Sequence, residues 1–289
     1  MRSGFVNIVG KPNAGKSTLL NALIGEKLAI VSSKVQTTRH RIRAFLNSSD
    51  YQIVFSDTPG VIEPKYKLHE KMMNAVRSSM EDADVCLLVA DIRDDFNELD
   101  VMFSSLKLRA PSILVLNKCD LVKKEHVASA LSFFKDKPYC KQIIHISASG
   151  KQRLNDLLDT IVSMLPEGEP FYDQDDLTDL PTKFFAGEII REKIYELFDE
   201  EIPYQATVMI SKFEEKVNLT RITAVIVVQR ESQKAIILGS GGAMIKKLGT
   251  ASRISLEQFL DRKVYLELFV KVRNNWRNNE LYLNEYGYN

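Results

Sequence analysis

Residues 10–17 limit the folds open to this chain more than any other stretch. They fit the pattern GxxxxGK[ST] and lie between an apolar run, residues 5–9, and a helix-like stretch that begins at Thr18. A buried strand, a glycine-rich loop and a helix in this order point backbone N–H groups and a helix N-terminus at anionic oxygens. The segment therefore predicts a phosphate-binding loop, in which Lys16 reaches the β- and γ-phosphates and the Ser17 hydroxyl ligates Mg²⁺.

Length and hydrophobic patterning predict two domains with a segment between them. The chain has 289 residues, and domains average roughly 150 residues. Residues 1–165 alternate apolar strand-like runs with amphipathic helices, which predicts an α/β domain with a mostly parallel sheet and helices on both faces. The predicted strands are residues 5–9, 51–56, 85–90, 113–116 and 143–146, with 41–46 at an edge. Residues 166–180 carry six acidic residues, two prolines and no Lys or Arg, which is typical of a linker, although an ordered strap would also fit.

The remaining part, residues 181–289, has a different order of elements. A helix at 188–198 is followed by strands at 206–213 and 220–228, helices at 234–238 and 243–260, and a strand at 264–272. This order predicts a smaller α+β domain with a three-stranded sheet.

Overall composition gives little indication of a partner. The formal net charge is +1 and the three cysteines are widely spaced, so neither a disulfide framework nor a zinc site is expected. No stretch approaches the ~18 consecutive apolar residues of a membrane span. We expect a cytoplasmic protein whose membrane contacts, if it makes any, are peripheral.

Three further motifs follow predicted strands and identify the nucleotide as GTP. In DTPG, residues 57–60, Asp57 would hold Mg²⁺ through water and the Gly60 N–H would reach the γ-phosphate. In NKCD, residues 117–120, Asp120 would accept from the two guanine donors, which adenine does not offer. In SAS, residues 147–149, a backbone N–H near Ala148 would donate to guanine O6. All of these motifs fall at the carboxyl ends of strands, where an open α/β sheet binds ligands.

The predicted GTP-binding residues are therefore Gly10, Lys11, Pro12, Asn13, Ala14, Gly15, Lys16, Ser17, Thr18, Asp57, Thr58, Pro59, Gly60, Asn117, Lys118, Asp120, Ser147, Ala148 and Ser149.

These motifs resemble those of the Ras-like GTPases, and QTTRH at residues 36–40 resembles the TrmE–Era–EngA branch. The resemblance implies that Thr37 or Thr38 binds Mg²⁺ in the GTP state, and we favour Thr38. The implied metal ligands are then Ser17, Thr38 and Asp57, and the implied catalytic residues are Lys16, Thr38 and Gly60.

Two positions bear on the rate of hydrolysis. Val61 stands where many relatives carry the glutamine that orients water, which predicts slow unaided hydrolysis. Asn13 either forms a turn after Pro12 or, as the resemblance implies, helps to hold K⁺.

A GxxG turn at residues 239–242 lies between a short and a long predicted helix. With the surrounding order of elements it resembles a type II KH domain, whose turn lets a nucleic-acid backbone approach closely. The turn itself contains no Lys or Arg, but residues 239–277 hold eight basic and three acidic residues. Trp276 would either stack on a base or cap the core. The predicted RNA-binding residues are Gly239, Ser240, Gly241, Gly242, Ile245, Lys246, Lys247, Arg253 and Trp276.

One GTPase domain followed by one type II KH domain resembles the bacterial ribosome-assembly GTPases of this branch. The resemblance implies a GTP/GDP switch that binds the 3′ end region of 16S rRNA and acts in maturation of the 30S subunit, with peripheral contact to the inner membrane in some members. We expect a monomer. The alternative is an RNA-binding module that senses nucleotide with negligible turnover.

Overall fold

The computed structural model describes residues 1–32 and 34–288, and the chain divides into two compact units. The first comprises Met1–Glu63 and Met72–Asp179, and the second comprises Pro64–Lys71 and the chain from Leu180 onward. In the described part of the chain, no helix has the length and apolar character needed to cross a membrane.

A six-stranded sheet organises the first unit. Its elements in chain order are β1 (Arg2–Val9), α1 (Lys16–Ile24), β2 (Ile42–Asn47), β3 (Tyr51–Asp57), α2 (Lys67–Glu81, whose residues 67–71 belong to the second unit), β4 (Val85–Asp91), α3 (Phe96–Ser105), β5 (Ser112–Asn117), α4 (Lys124–Phe134), β6 (Gln142–His145) and α5 (Leu154–Met164). The strand order is β2-β3-β1-β4-β5-β6. Only β2 runs antiparallel to its neighbour within this sheet, which confirms the predicted mostly parallel sheet with an edge strand at residues 41–46.

The central strands explain why the sequence adopts this arrangement. Every residue of β4 and β5 is buried, as expected for near-continuous apolar runs in a parallel sheet. Because β1, β3, β4 and β5 are parallel, their carboxyl ends meet at one edge of the sheet, and the loops that carry the motifs start there.

Residues 166–179 form an ordered strap that first contacts β1 and β3 and then runs along β2: the Ser3 N–H donates to the Pro166 carbonyl, and Gln52 Oε1 accepts from the Tyr172 N–H. The Phe45 N–H donates to the Leu177 carbonyl at 2.9 Å, and the Phe45 ring stacks on Tyr172 at 3.9 Å between centroids. Arg43 pairs with Asp179 at 2.9 Å. These backbone, ring and ion-pair contacts with the sheet favour the ordered strap over the free linker for this stretch.

A three-stranded sheet organises the second unit. Its elements are α6 (Thr182–Leu197), α7 (Ile202–Gln205), β7 (Thr207–Glu215), β8 (Leu219–Val228), α8 (Glu231–Leu238), α9 (Ala243–Leu260), β9 (Lys263–Val272) and α10 (Glu280–Glu285). The order is β7-β8-β9, with β7 antiparallel and β9 parallel to β8. The predicted α+β order is confirmed, and the sequence analysis did not find α7 and α10.

One face of this smaller sheet carries the core of the second unit. Ile222, Ala224, Ile226 and Val228 alternate along β8 and are completely buried. They pack in clusters with buried residues of α6, α8 and α9. The intervening residues of β8 point to the opposite face of the sheet.

Candidate functional site

A cavity of about 320 Å³ opens at the carboxyl ends of the first unit's strands. It brings together the phosphate loop, residues preceding β2, the loop after β3 and Lys118. Its lining residues are Pro12, Asn13, Gly15, Lys16, Ser17, Thr18, Ile30, Val31, Ser32, Gln36, Thr37, Thr38, Gly60, Asp91, Arg93 and Lys118. Most of the residues that we predicted to bind the phosphates therefore line one cavity, which is large enough for part of a nucleotide.

Lys16 begins α1 at the floor of this cavity and is buried. Its ammonium donates to the carbonyls of Gly10, at 3.1 Å, and Lys11, at 2.8 Å. Burial lowers the pKa of Lys16 from 10.5 to about 8, and the charge of Asp57 opposes that effect. The loop thus holds a single amino group where phosphate oxygens would bind.

Ser17, Thr38 and Asp57 converge beside Lys16. The Ser17 hydroxyl lies 2.8 Å from the Thr38 hydroxyl and donates to Asp57 Oδ2 at 2.7 Å. Thr38 Oγ1 lies 3.3 Å from the same carboxylate oxygen. The structure thus brings Thr38, which we favoured over Thr37, to the Asp57 carboxylate.

These residues fit a Mg²⁺ ion. Asp57 is fully buried, and its second oxygen, Oδ1, has no hydrogen-bond partner among the described residues. Burial raises the pKa of Asp57, against the opposing effects of the Ser17 hydrogen bond and the Lys16 charge. A hard divalent cation takes carboxylate and hydroxyl oxygens as ligands and would stabilise the ionised form of Asp57.

Gly60 and Val61 close the phosphate end of the site. A Cβ at Gly60 would lie only 2.6 Å from the backbone nitrogen of Pro12, so a glycine is needed for this loop to approach the phosphate loop. The Val61 N–H donates to the Gly10 carbonyl at 3.0 Å. The Val61 side chain offers no polar group to orient water, as the sequence predicted.

Asn117, at the end of β5, ties three loops together at the base end of the site. Its Nδ2 donates to the Ala14 carbonyl at 2.9 Å. Its Oδ1 accepts from the backbone N–H of Lys118, at 2.8 Å, and of Ala148, at 3.0 Å. The predicted link from this motif to the phosphate loop is therefore present. The Ala148 N–H itself is bonded to Asn117, and the predicted donor to guanine O6 is a backbone N–H near Ala148.

Asp91 is a site residue that the sequence analysis missed. It ends β4 and is buried, pairing with Lys118 at 2.8 Å and with Arg93 at 2.6 Å. Burial by itself would raise the pKa of Asp91, but the hydrogen bonds from Arg93 and Lys118 outweigh it and hold the pKa well below its usual range. Asp57 and Asn117 were found because they stand at the carboxyl ends of predicted strands, and the same criterion applied to the strand at residues 85–90 would also have found Asp91.

The remaining predicted residues lie around this framework. The Thr58 hydroxyl donates to the Ile8 carbonyl at 2.7 Å, and Ser147 is buried. The Lys11 ammonium turns to Glu98, at 2.8 Å, so only its backbone serves the loop. Asp120 lies in a short turn after β5 and is exposed.

The GxxG turn of the second unit joins α8 to α9. Gly239 has φ 71° and ψ 173°, a backbone region that is essentially open to glycine alone. A Cβ there would lie 2.8 Å from the Met244 side chain. Ser240 and Gly241 are exposed at the tip, which leaves the turn accessible to a nucleic-acid backbone.

The side chains predicted to bind RNA have different surroundings. Lys246 and Lys247 are exposed on α9, Ile245 is partly buried against the core, and Arg253 pairs with Glu257 at 3.0 Å. Trp276 corrects our prediction, because its side chain is fully buried and its Nε1 donates to the Gln205 carbonyl at 3.0 Å. Trp276 caps the core and presents no ring face to a base.

Comparison with known protein families gives two matches. Residues 5–118 match a family described as 50S ribosome-binding GTPase, and residues 201–277 match a KH domain family.

Comparison with individual proteins gives full-length relatives. GTPase Era of Geobacter sp. strain M21 is 44% identical over 290 residues, which covers 99% of this chain and 98% of the relative. GTPase Era of Clostridium botulinum strain Eklund 17B is 42% identical with the same coverage.

Two solved structures match over the whole chain. A crystal structure of an Aquifex aeolicus Era variant bound to GDP and AlF4⁻ superposes with a TM-score of 0.95, is 39% identical, and covers 100% of this chain and 99% of the solved chain. Era in complex with MgGDPNP and nucleotides 1506–1542 of 16S ribosomal RNA gives a TM-score of 0.94 at 40% identity with the same coverage.

Proposed function

Because the chain belongs to the Era family of GTPases, we propose that it hydrolyses GTP to GDP and phosphate and that the bound nucleotide controls its binding to RNA. The convergence of Ser17, Thr38 and Asp57 beside Lys16 carries this proposal. Bound there, Mg²⁺ would neutralise charge on the β- and γ-phosphates. Lys16 would bind their oxygens, the Gly60 N–H would donate to the γ-phosphate, and Asp120 with a backbone N–H of residues 147–149 would select guanine.

Steady-state GTP hydrolysis by a matched pair of threonine variants tests this site. Thr38→Ala removes a hydroxyl that would ligate Mg²⁺ and should lower the rate at least roughly 10-fold, since even residues that only support a metal ligand cost about that much when they are replaced. Thr37→Ala should stay near the parent rate. Equal rates for the two variants would contradict the assignment of Thr38. Absence of turnover in the parent chain, with and without RNA, would favour the alternative of a nucleotide-sensing module.

We propose the 3′ end region of 16S rRNA as the RNA, and maturation of the 30S subunit as the process. The GxxG turn and the related Era crystallised with ribosomal RNA support this proposal. Gly241 is exposed and has a positive φ of 57°, and a Cβ there meets nothing within 4 Å, so Gly241→Asp places a carboxylate at the tip of the turn. It should weaken binding to a 16S 3′-end fragment at least roughly tenfold by charge repulsion with the RNA backbone.

Gly25→Asp provides the matched control for that experiment. Gly25 also has a positive φ, 85°, and open space around its Cβ, but it ends α1 in the first unit. The Gly25→Asp variant should therefore bind the RNA fragment with the same affinity as the parent protein. If both variants bind the fragment as the parent does, RNA is not held at the GxxG turn.

The nucleotide dependence of RNA binding has a separate test. We expect the γ-phosphate to order residues 32–40, of which residue 33 lies outside the described residues, and residues 58–68, and this ordering would couple the nucleotide site to RNA binding. RNA affinity should differ between GDP and a non-hydrolysable GTP analogue. Equal affinities would reject the switch, since a ligand with no differential affinity shifts no equilibrium.

Three finer features complete the proposal. Asn13 would help to hold K⁺ beside the phosphates, so replacing K⁺ by Na⁺ should slow hydrolysis. The protein would act as a monomer in the cytoplasm, with peripheral contact to the inner membrane. Sedimentation of the protein alone tests whether it is a monomer, and sedimentation with anionic lipid vesicles tests the membrane contact.

A further inference from the structure

The sheet of the second unit has an open face, the face turned away from its core helices. Along the edge strand β9 this face presents Lys263, Tyr265, Glu267, Phe269 and Lys271, because alternate residues of a strand share a face. Phe269 is 57% exposed and Tyr265 is 46% exposed. The open face thus presents two large, exposed aromatic side chains on one strand, about 13 Å apart.

Phe269 ends an apolar row across the sheet. It is in register with Val225 of β8, which is in register with Met209 of β7. The next row is Thr207, Val227 and Lys271. Val227 is buried and the Thr207 hydroxyl lies 3.0 Å from the Tyr288 hydroxyl, so the C-terminal segment covers this row except at Lys271, which is exposed. The row that contains Phe269 is therefore the first one that the C-terminal segment leaves uncovered.

Tyr265 lies in a polar setting on the same face. The Arg221 guanidinium lies 5.2 Å from the centre of its ring. Glu267, between the two aromatic residues, accepts from the Thr223 hydroxyl at 3.2 Å and from the Tyr265 hydroxyl at 3.4 Å. These contacts position Tyr265 and Glu267 while the Phe269 ring keeps an accessible surface.

The charge of the open face is positive. Its cations are Lys212, Arg221, Lys263 and Lys271, and its acids are Glu214 and Glu267. Lys212 pairs with Glu214 at 2.9 Å, but no ion pair of the described residues includes Lys263 or Lys271. Two ammonium groups outside the ion pairs of the described residues thus flank the two aromatic rings on β9, and the charge of Lys263 also acts on Glu257, whose pKa it lowers.

We propose that this open face is a second binding surface for single-stranded RNA, distinct from the GxxG turn. Unpaired bases stack on Phe269 and Tyr265, and the phosphates between and beside them pair with Lys263 and Lys271. Exposed aromatic side chains on a sheet with cations alongside bind single strands in this way with little dependence on sequence. A duplex offers no unstacked bases to such a surface, and the excess of positive charge favours a polyanion over an apolar protein partner.

The test uses the full chain and a fluorescein-labelled single-stranded RNA of about 20 nucleotides, longer than the four that a GxxG turn clamps. Fluorescence anisotropy gives the affinity of the parent, Phe269→Leu and Phe269→Tyr. Leu keeps an apolar side chain but cannot stack, so it should weaken binding roughly fivefold or more, whereas Tyr should bind as the parent does. Because Phe269 is more than half exposed, all variants should keep the parent's thermal midpoint.

The charged part of the surface has its own measurement. In the double variant Lys263→Gln/Lys271→Gln, the slope of log affinity against log salt should fall by about 1.4, or about 0.7 for each phosphate contact with a single strand. Val217→Ala, which removes an exposed apolar side chain from a loop, should change neither affinity nor slope.

Combination with Gly241→Asp separates the two surfaces. If the open face binds RNA, Phe269→Leu should weaken the residual binding of Gly241→Asp by the same factor as it weakens the parent. An effect of Phe269→Leu without any effect of Gly241→Asp would reject the GxxG assignment and keep this one. Equal affinities of the Leu, Tyr and parent proteins overturn the proposal, whatever the lysine variants do.

Discussion

GDP binding should be coupled to protonation of Lys16. This side chain is buried between two carbonyls of its own loop, and burial lowers its pKa to about 8. Bound phosphate places negative charge against the ammonium and favours its charged form. Whenever Lys16 is neutral in the free protein, binding must therefore take up a proton, and affinity must fall as the pH rises.

The size of the effect follows from that pKa. With a pKa of about 8, about one tenth of Lys16 is neutral at pH 7.0 and about three quarters at pH 8.5. If Lys16 is charged in the complex at both values, GDP affinity should fall roughly fourfold over this interval. Proton uptake on binding should rise from about 0.1 to about 0.75 per GDP over the same range.

Titration calorimetry in buffers of different ionisation enthalpy measures this uptake directly. Lys16→Met should bind GDP more weakly and show no rise in uptake between pH 7.0 and 8.5. Lys11→Met is the matched control, because the Lys11 ammonium faces Glu98, and it should keep the full rise. An affinity of the parent protein that is flat across this range, with uptake near 0.1 at pH 8.5, would refute the reasoning.

Three further substitutions probe the framework around the site and the core. Asn117→Ala leaves the Ala14 carbonyl and the N–H groups of Lys118 and Ala148 without their partner. It should therefore lower the free energy of unfolding, measured in urea, by about 3 kcal/mol. A change below about 1 kcal/mol would argue that Asn117 does not hold these three loops together. The depressed pKa of Asp91 stabilises the protein above the carboxyl's unfolded pKa of about 4, and this stability is lost as the pH falls below it. Asp91→Asn should accordingly flatten the fall in urea midpoint between pH 5 and 3, and an unchanged fall would contradict the ion-pair argument. Trp276→Phe should lower the thermal midpoint by removing the bond to Gln205 while leaving RNA affinity unchanged, and a loss of affinity in a folded variant would restore the base-stacking role.

The nucleotide site could be predicted from the sequence because its parts are local. Each motif follows an apolar run directly, and the carboxyl ends of parallel strands must meet, so the convergence of Lys16, Asp57 and Asn117 needs no further information. The choice of Thr38 over Thr37 is also consistent with the structure. The strands of both sheets are within a few residues of their predicted bounds, because their periodicity is strong.

What the sequence could not predict depends on partners distant along the chain. Trp276 is buried because its indole N–H reaches the Gln205 carbonyl and its ring packs near Tyr288, and no local pattern contains that information. The start of α6 at Thr182 rather than residue 188 reflects burial of Ala186 against β8 and of Phe185 beside the ring of Phe259 on α9. The position of the Ala148 N–H likewise depends on the side chain of Asn117.

The strap has a consequence for how the chain is made. During synthesis, β2 emerges long before residues 171–179, and until they follow, its outer edge has unpaired backbone groups beside the Phe45 ring. An uncovered strand edge is a template for pairing with another chain. A nascent or recombinant chain that stops near residue 165 should therefore self-associate, whereas one that extends through Asp179 should stay dispersed. The acidic segment thus protects the folding intermediate of its own chain from pairing with another chain.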